Sequence, residues 1–249
     1  MQLQVDTSRF VPPIDTPLIP TWAHELELHA AGYHLVAGVD EAGRGAWAGP
    51  LVAAAVVFPH PDRLERGIDT PNISAIAAEL DRLRDSKMLS AGVREELLGP
   101  VQRMALAVGV GIVSPAAIDA IGVGAANRLA MARAVRDLAL RPDFLLLDAF
   151  RVPMMPQPQR PIVRGDATCM SISAASIVAK VTRDHIMCRL GETHPGYEFA
   201  QHKGYGTRLH SDALARLGVS SIHRHSFAPI KAMVSGEPVY ERGPADAAS

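Results

Sequence analysis

Residues 35–45 of the sequence read LVAGVDEAGRG, and they give the strongest indication of the fold. It begins with a short apolar run, Leu35 to Val39, and a second apolar run follows at Leu51 to Phe58. Both runs have the length and composition of strands that are buried on both faces. The glycine-rich segment between them predicts a loop, so the stretch indicates two strands joined by a short connection.

The rest of the chain alternates between strand-like and helix-like segments. Short apolar runs predict further strands at residues 108–113, 144–147 and 161–164. Apolar residues at helical spacing predict helices at residues 125–140, 170–190 and 209–217. Ser90 and Ser114 each precede a segment that they can cap as a helix. Alternating strands and helices are typical of an α/β structure, here with a helical C-terminal part.

The chain divides into four segments by composition. Residues 1–34 contain Pro12, Pro13, Pro17 and Pro20 and have no sustained period, which predicts an extended N-terminal arm. Residues 35–190 form the predicted main domain and residues 191–235 a helical C-terminal part. Residues 236–249 are rich in Ala, Gly and Pro and are expected to be a flexible tail.

Composition excludes several classes of protein. The 249 residues are long enough for a proper core, and 48% of them are hydrophobic. The sequence contains neither an apolar run that spans a bilayer nor an apolar signal-peptide core, so we expect no membrane association. Two cysteines cannot build a disulfide framework, and a reduced, cytoplasmic compartment is the default.

The net charge of −1 hides an uneven distribution of charge. Residues 180–231 contain eight basic and four acidic side chains together with six of the ten histidines. The first 39 residues contain four acids and one arginine. Local charge sets the field that a polyanion meets. The basic region, near whose end Arg224 offers further donors, fits either a nucleic-acid partner or an ordinary solvated helical face.

Carboxylates follow three of the predicted strands. Asp40 and Glu41 lie where the first strand ends, Asp148 ends the strand at 144–147, and Asp166 follows the strand at 161–164. Each has a simpler interpretation: a solvated turn for the Asp-Glu pair, and a helix cap for Asp166. Because successive strand residues point to opposite sides, Asp40 and Glu41 reach one ion only if the chain turns between them.

Together these carboxylates predict a metal centre. If the strands are neighbours, four acids converge at one edge of the sheet and repel each other unless they are protonated or bound to cations. A set of hard oxygen ligands without Cys or His indicates Mg²⁺ or Mn²⁺ rather than zinc. Two such ions can activate a water and stabilise the leaving oxygen of a phosphodiester.

Three further motifs could contact a phosphate or a sugar. Gly43 and Gly45 give the backbone freedom for a ligand to approach Arg44 and the flanking amides. Ser86 and Lys87 lie between two predicted helices, where they fit a phosphate contact or a plain polar turn. Tyr205 lies in the loop Gly204-Tyr205-Gly206, and an aromatic ring in such a loop suits stacking on a sugar or base.

The sequence resembles a known family, the type 2 ribonucleases H, specifically bacterial ribonuclease HII. The resemblance runs in order from Leu35 to Lys231. It rests on the motifs at residues 38–50, 85–90, 165–177, 179–184, 202–207 and 224–227. No single one of these motifs has the specificity of the whole set.

The resemblance implies a fold and an activity. The fold is RNase H-like, with a mixed central β-sheet flanked by helices. The activity is that of an endoribonuclease (EC 3.1.26.4 class). It hydrolyses the RNA strand of RNA–DNA hybrids and cuts at ribonucleotides embedded in duplex DNA, with two divalent ions, leaving 3′-hydroxyl and 5′-phosphate ends. We expect RNA–DNA hybrid and ribonucleotide-containing DNA as partners, and a monomer.

The resemblance also assigns residues. It places the four metal-binding, catalytic acids at Asp40, Glu41, Asp148 and Asp166. Substrate-binding residues are expected at Gly43, Arg44, Gly45, Ser86, Lys87, Lys180 and Tyr205, with Tyr205 as the substrate-sensing tyrosine.

Some positions depart from the family pattern. Ala149 stands where the family usually has Gly, Ala46-Trp47 replaces a more usual Pro-Leu, and residues 63–79 look like an insertion. Two alternatives stay open at this point. A DNA nuclease of the same fold would share the acids but would have no use for a 2′-hydroxyl sensor. A binding module without catalysis is disfavoured, because the acids would weaken its contact with a polyanion.

Overall fold

A computed structural model describes residues 18–61 and 78–235 of the chain. Five strands form one sheet in the order β3-β2-β1-β4-β5. Their bounds are β1 Val36–Ala42, β2 Leu51–Val57, β3 Ala107–Val113, β4 Phe144–Asp148 and β5 Gln159–Ile162. The antiparallel pairs are β1–β2 and β2–β3, and the parallel pairs are β1–β4 and β4–β5. The sheet is therefore mixed, as the resemblance implies.

Two strands differ from the sequence prediction. β1 continues to Ala42, which pairs with Val52, because the antiparallel partner β2 supplies hydrogen bonds past the apolar run. The fifth strand is Gln159–Ile162 and not residues 161–164, since Arg164 takes a left-handed conformation with φ 58° and ends the extended backbone. Polar Gln159 and Arg160 enter the strand through pairing with β4.

Helices cover both faces of the sheet. Their bounds are α1 Ala23–Ala30, α2 Ala91–Met104, α3 Pro115–Ile121, α4 Val123–Asp137, α5 Gly165–Thr168, α6 Met170–Thr193, α7 Phe199–His202, α8 Arg208–Leu217 and α9 Ala228–Ser235, with a 3₁₀ turn at Ser86–Met88. Ser90 and Ser114 cap α2 and α3 by accepting from backbone amides, as predicted. The Ser86–Met88 turn lies just before α2 in the chain.

The faces of the sheet pack against different helices. Val39, Ala53 and Leu147 pack with α4 on one face. Ala42 and Ala54 pack with α6 and α2 on the other face. Gly38 allows α6 to approach β1 closely, because a Cβ at this position would lie 2.5 Å from the Ser171 carbonyl oxygen. This contact sets the depth of α6 on the sheet.

The predicted extended N-terminal arm is wrong for part of its length. Residues 23–30 form helix α1, and Leu28 is buried against the sheet. All four prolines of the segment precede the helix, so they do not interrupt it. The described residues do not include residues 1–17, most of the insertion at 63–79 or the tail at 236–249, so what the sequence predicts for them stays a prediction.

The C-terminal part is helical, as predicted. Helices α7, α8 and α9 pack around a small core of their own that includes Tyr197, Phe199, Leu214 and Ile230. Ala48, which follows the glycine-rich loop, belongs to the same core. The loop after β1 is therefore held between the sheet and the C-terminal helices.

Candidate active site

The carboxyl end of the parallel strands brings the four predicted acids together. Val39 pairs with Leu147, so Asp40 and Asp148 lie one residue further along neighbouring parallel strands. Asp148 pairs in turn with Ile162 at the end of β5. Asp166 follows β5 in the first turn of α5. The sequence predicted this convergence on the condition that the strands are neighbours, and the sheet order meets that condition.

Asp40 and Glu41 approach this edge from opposite faces of the sheet. Since β1 stays extended through both residues, their side chains alternate. Glu41 faces the side of α4, where Asn127 interacts with its carboxylate. Asp40 lies on the α6 face, only 4% exposed, and its carboxylate accepts the Glu41 amide at 2.7 Å. The turn that the sequence required between them is not present, and the two carboxylates flank the strand.

The acids perturb one another electrostatically. Burial, together with the neighbouring carboxylates of Glu41 and Asp148, raises the pKa of Asp40 well above its ordinary value. Burial also raises the pKa of Glu41, with Asn127 opposing the shift and Asp148 adding to it. The pKa of Asp148 is raised by burial and by Asp166, against the Gly165 amide that donates to its carboxylate at 2.9 Å. Such mutual destabilisation marks a group of carboxylates that a cation would relieve.

Lys87 places a positive charge beside the acids. Its ammonium lies 3.1 Å from the Asp166 carboxylate and 3.7 Å from that of Asp85. Although burial lowers the pKa of Lys87, these carboxylates raise it above its ordinary value. Asp166 therefore does not cap α5 with its side chain, and the simpler interpretation of this residue is wrong.

The donor chemistry of the cluster fits hard divalent cations. All four side chains offer carboxylate oxygens, and Oε2 of Glu41 is buried without a hydrogen-bond partner. Within residues 18–61 and 78–235, no three His, Cys, Asp or Glu side chains already have the mutual spacing of a metal cage. The fit to a metal therefore rests on the donor set and on the unpaired oxygen.

The glycine-rich loop next to the acids has a tightly defined backbone. Gly43 has φ 88°, and a Cβ there would lie 2.7 Å from Cζ of Arg183 and closer still to its Nε. Arg44 is exposed, and its guanidinium lies 4.5 Å from the centre of the Phe150 ring. Its position beside the acids leaves it available to a ligand.

Ala149 is one of the positions at which the sequence departs from the family pattern, and its backbone conformation is unusual. It directly follows Asp148 and has φ 56°, a left-handed conformation that costs a non-glycine residue energy. A glycine, which the resemblance implies at this position, would adopt it freely. Hydrogen bonds from the amides of Ala149 and Phe150 hold the turn in place despite this cost.

The Tyr205 loop packs directly against the glycine-rich loop. The amide of Trp47 donates to the Gly204 carbonyl at 2.8 Å. The half-buried Tyr205 ring lies 5.2 Å from Cζ of Arg183 and 5.5 Å from Nζ of Lys180. The tertiary structure thus places the predicted sensing tyrosine beside the loop that begins at Gly43.

Two buried arginines join these loops. Arg183 donates to the carbonyls of Pro50, Lys203 and Ala48. Arg224 donates to the carbonyls of Gly49 and Arg44. Both are fully buried, so the sequence-based expectation that Arg224 offers donors to a nucleic acid is wrong. Burial, followed by repulsion from Arg183, lowers the pKa of Arg224 to about 9.

Other predicted binding residues lie nearby with partners of their own. Ser86 is buried, and its carbonyl accepts from Arg94 at 2.8 Å. Lys180 forms an ion pair with Asp184 at 2.8 Å and has a largely buried side chain. Gly45 has open space around its Cα. The binding roles of these residues stay predictions.

Sequence reasoning missed two residues that support the site. Asn127 interacts with Glu41 from α4. Glu25 of α1 is buried and accepts from both the amide and the hydroxyl of Ser171, at 2.8 and 2.6 Å, at the start of α6. Neither lies in a recognisable motif, because each meets its partner only through packing of distant segments.

Comparison with known proteins identifies the family. The profile of the family described as Ribonuclease HII matches residues 37–230, most of the chain. The chain belongs to the ribonuclease HII family. A ribonuclease HII from Dehalococcoides mccartyi is 47% identical over 216 residues, which cover 87% of this chain and 96% of that protein. The predicted resemblance is therefore confirmed.

Solved structures of ribonucleases H share the fold. The crystal structure of ribonuclease H2 from Pyrococcus horikoshii OT3 has a TM-score of 0.64 at 24% identity, covering 81% of this chain and 98% of that one. Bst-RNase HIII in complex with Mn²⁺ has a TM-score of 0.63 at 18% identity, covering 84% and 72%. The predicted RNase H-like α/β fold is confirmed by these similarities and by the mixed sheet.

Family membership also settles the class of activity. As a ribonuclease HII family member, the chain is an endonuclease of the ribonuclease H type that degrades RNA in RNA–DNA hybrids. The two alternatives, a nuclease for DNA alone and a binding module without catalysis, do not describe this family. Among the described helices, none has the length and apolar character needed to cross a membrane.

Proposed function

We propose that this ribonuclease HII cuts RNA–DNA hybrids and single ribonucleotides embedded in duplex DNA with two divalent metal ions, Mg²⁺ or Mn²⁺. The products would carry 3′-hydroxyl and 5′-phosphate ends, and the enzyme would act as a monomer. One observation carries the proposal: the sheet order brings Asp40, Asp148 and Asp166 to one edge, with Glu41 at the opposite face of the same strand.

Asp40, Glu41, Asp148 and Asp166 would hold the ions. When bound, the two ions supply an activated water and charge stabilisation of the leaving oxygen. The raised pKa values of Asp40, Glu41 and Asp148 support this role, because a bound cation compensates the repulsion that burial enforces. A related fold, that of Bst-RNase HIII, is known in complex with Mn²⁺.

The glycine-rich loop would recognise the ribose. Gly43, Arg44 and Gly45 offer backbone amides and a guanidinium beside the acids, where the 2′-hydroxyl is the group that distinguishes RNA from DNA. Tyr205 would pack on the neighbouring sugar. Lys87, with Ser86 behind it, and Lys180 would approach the phosphates and offset the negative charge of the acids.

A panel of three duplexes tests the substrate. The purified chain is incubated with duplex DNA containing no ribonucleotide, one ribonucleotide or a complete RNA strand, each with Mg²⁺, with Mn²⁺ or with EDTA. We expect cleavage of the second and third duplexes with either metal and none with EDTA. Cleavage of the all-DNA duplex at a comparable rate would contradict the role of the 2′-hydroxyl, and cleavage in EDTA would contradict the role of the metals.

The Asp40→Asn variant tests the acid cluster. We expect it to lose cleavage while binding to a hybrid stays detectable, because the amide keeps the volume of the carboxylate but not its charge. Glu192→Gln is the matched control, since Glu192 is an exposed acid on α6. Full activity of Asp40→Asn in Mg²⁺ would refute the assignment, and equal loss in both variants would indicate an unspecific effect of charge.

A further inference from the structure

Behind Tyr205 lies a cluster of three buried histidines, His202, His210 and His223. Their exposed fractions are 8%, 0% and 1%. The rings of His202 and His210 are stacked at 4.2 Å, and Nε2 of His210 lies 3.1 Å from Nε2 of His223. The residues come from α7, α8 and the loop after α8, so the cluster joins three segments of the C-terminal part.

Hydrogen bonds assign one tautomer to His210 and to His223. The Tyr205 carbonyl only accepts, so the contact of 3.0 Å requires a proton on Nδ1 of His210. Nε2 of the neutral His210 is then an acceptor, and Nε2 of His223 must donate to it. His223 completes the series because its Nδ1 accepts the Ser220 amide at 3.0 Å. The bonds run in one direction, from Ser220 through both rings to Tyr205.

His202 holds the other side of the same loop. Its Nδ1 accepts the Gly204 amide at 3.1 Å, which leaves Nε2 to donate to the Tyr197 carbonyl at 2.7 Å. His202 therefore binds the amide of Gly204, and His210 binds the carbonyl of Tyr205. The two histidines hold this dipeptide at both ends. No charged group is needed for this arrangement, and a proton added to Nε2 of His210 would place two N–H groups face to face.

The electrostatics of the cluster agree with neutral rings. Burial lowers the pKa of His210 to about 4, and burial likewise lowers that of His223 to about 4. Repulsion from His202 contributes to both shifts, and His194 and His225 contribute to that of His223. At neutral pH both rings are uncharged, as the hydrogen-bond series requires.

We propose that His210 and His223 are positioning residues for Tyr205, and that their directed hydrogen bonds hold its backbone so that the ring meets the sugar next to the cleavage site. This inference rests on the proposed function, in which Tyr205 contacts the substrate. Neither histidine touches the acids in the described structure, so both would act through Tyr205 alone.

Amide substitutions separate positioning from general stability, because Asn and Gln imitate different ring nitrogens. Asn places its amide near Nδ1, and Gln places it near Nε2. His210→Asn keeps the donor to Tyr205 and loses the bond to His223, whereas His210→Gln does the opposite. At His223 the two amides exchange roles: Gln keeps the donor to His210, and Asn loses it.

The assay is cleavage of duplex DNA with one embedded ribonucleotide in Mg²⁺, with kcat and KM determined separately. We expect His210→Gln to lose about tenfold in kcat/KM, the equivalent of one hydrogen bond, because the donor to Tyr205 is gone. His223→Asn should lose a similar factor, since without a donor at Nε2 of residue 223 the proton of His210 is no longer confined to Nδ1. His210→Asn and His223→Gln keep the donor to Tyr205 and should stay near the parent. Thermal unfolding is measured in parallel. A merely structural role predicts that activity follows stability and that the same amide is preferred at both positions, and either result would overturn the proposal.

The Tyr205→Ala background distinguishes this inference from the proposed function. If Tyr205→Ala loses cleavage and His210→Gln adds nothing further to that loss, positioning through Tyr205 is supported. If Tyr205→Ala loses cleavage but His210→Gln and His210→Asn do not differ in otherwise unchanged protein, only the histidine proposal fails. If Tyr205→Ala cleaves normally, the role of Tyr205 in the proposed function fails, and the positioning role fails with it.

Discussion

Replacing Gly38 with Ala tests how closely helix α6 approaches the sheet. The new Cβ would lie 2.5 Å from the Ser171 carbonyl oxygen, and the Ser171 carbonyl carbon and Ile172 nitrogen are closer still. All three are backbone atoms, so no side chain can rotate away. An ordinary contact of about 3.5 Å requires the helix and the strand to separate by more than about 1 Å.

Neither partner moves easily. β1 is hydrogen-bonded to β2 on one side and to β4 on the other. The first turn of α6 is bound by the buried carboxylate of Glu25. Overpacking of a core costs about 1–3 kcal/mol, and the rigidity here favours the upper end. Alanine recovers roughly 0.5 kcal/mol by restricting the unfolded chain.

The net expectation for Gly38→Ala is a loss of about 2–3 kcal/mol in the free energy of unfolding, or roughly 4–12 °C in Tm. Urea and thermal unfolding of the metal-free protein measure it. Gly92→Ala is the matched control, because Gly92 lies in α2 and a Cβ added there would have nothing within 4 Å, so this variant should be neutral or stabilising. A loss below about 0.5 kcal/mol in Gly38→Ala would refute the close approach, because overpacking costs about 1 kcal/mol or more.

Two further predictions concern the stability of the protein. Ala149→Gly should stabilise the protein by roughly 0.5–1 kcal/mol in urea unfolding, because the left-handed backbone at Ala149 no longer strains a side chain; an unchanged or lower stability would contradict that. His210 and His223 should make the fold less stable on acidification, because unfolded histidine binds protons near pH 6.5 whereas these two bind them at about 4, so their contribution to stability falls as pH decreases between these values. Between pH 7 and pH 5 the loss should be about 2 kcal/mol larger in the parent than in His223→Gln, and equal losses would contradict it.

Local sequence was sufficient to predict the elements that form the site. Apolar runs of strand length predicted β1 to β4 within a few residues, because a strand buried on both faces must be apolar along its length. Capping serines predicted the starts of α2 and α3. Carboxylates directly after apolar strands predicted an acidic edge, since a charge within the buried run would be costly. The ordered motifs predicted the family.

Tertiary structure decided what depends on contacts between distant segments. The pairing of β1 with β4 placed Asp40 beside Asp148, and the extension of β1 by β2 put Glu41 on the opposite face. Burial turned Arg224 from an expected nucleic-acid contact into a support of the loop after Gly43. These outcomes could not follow from local patterns, because strand pairing and burial join residues that lie far apart in the sequence. Local patterns thus named the candidate residues for the chemistry, and strand pairing and burial set which of them face the candidate site and which support it.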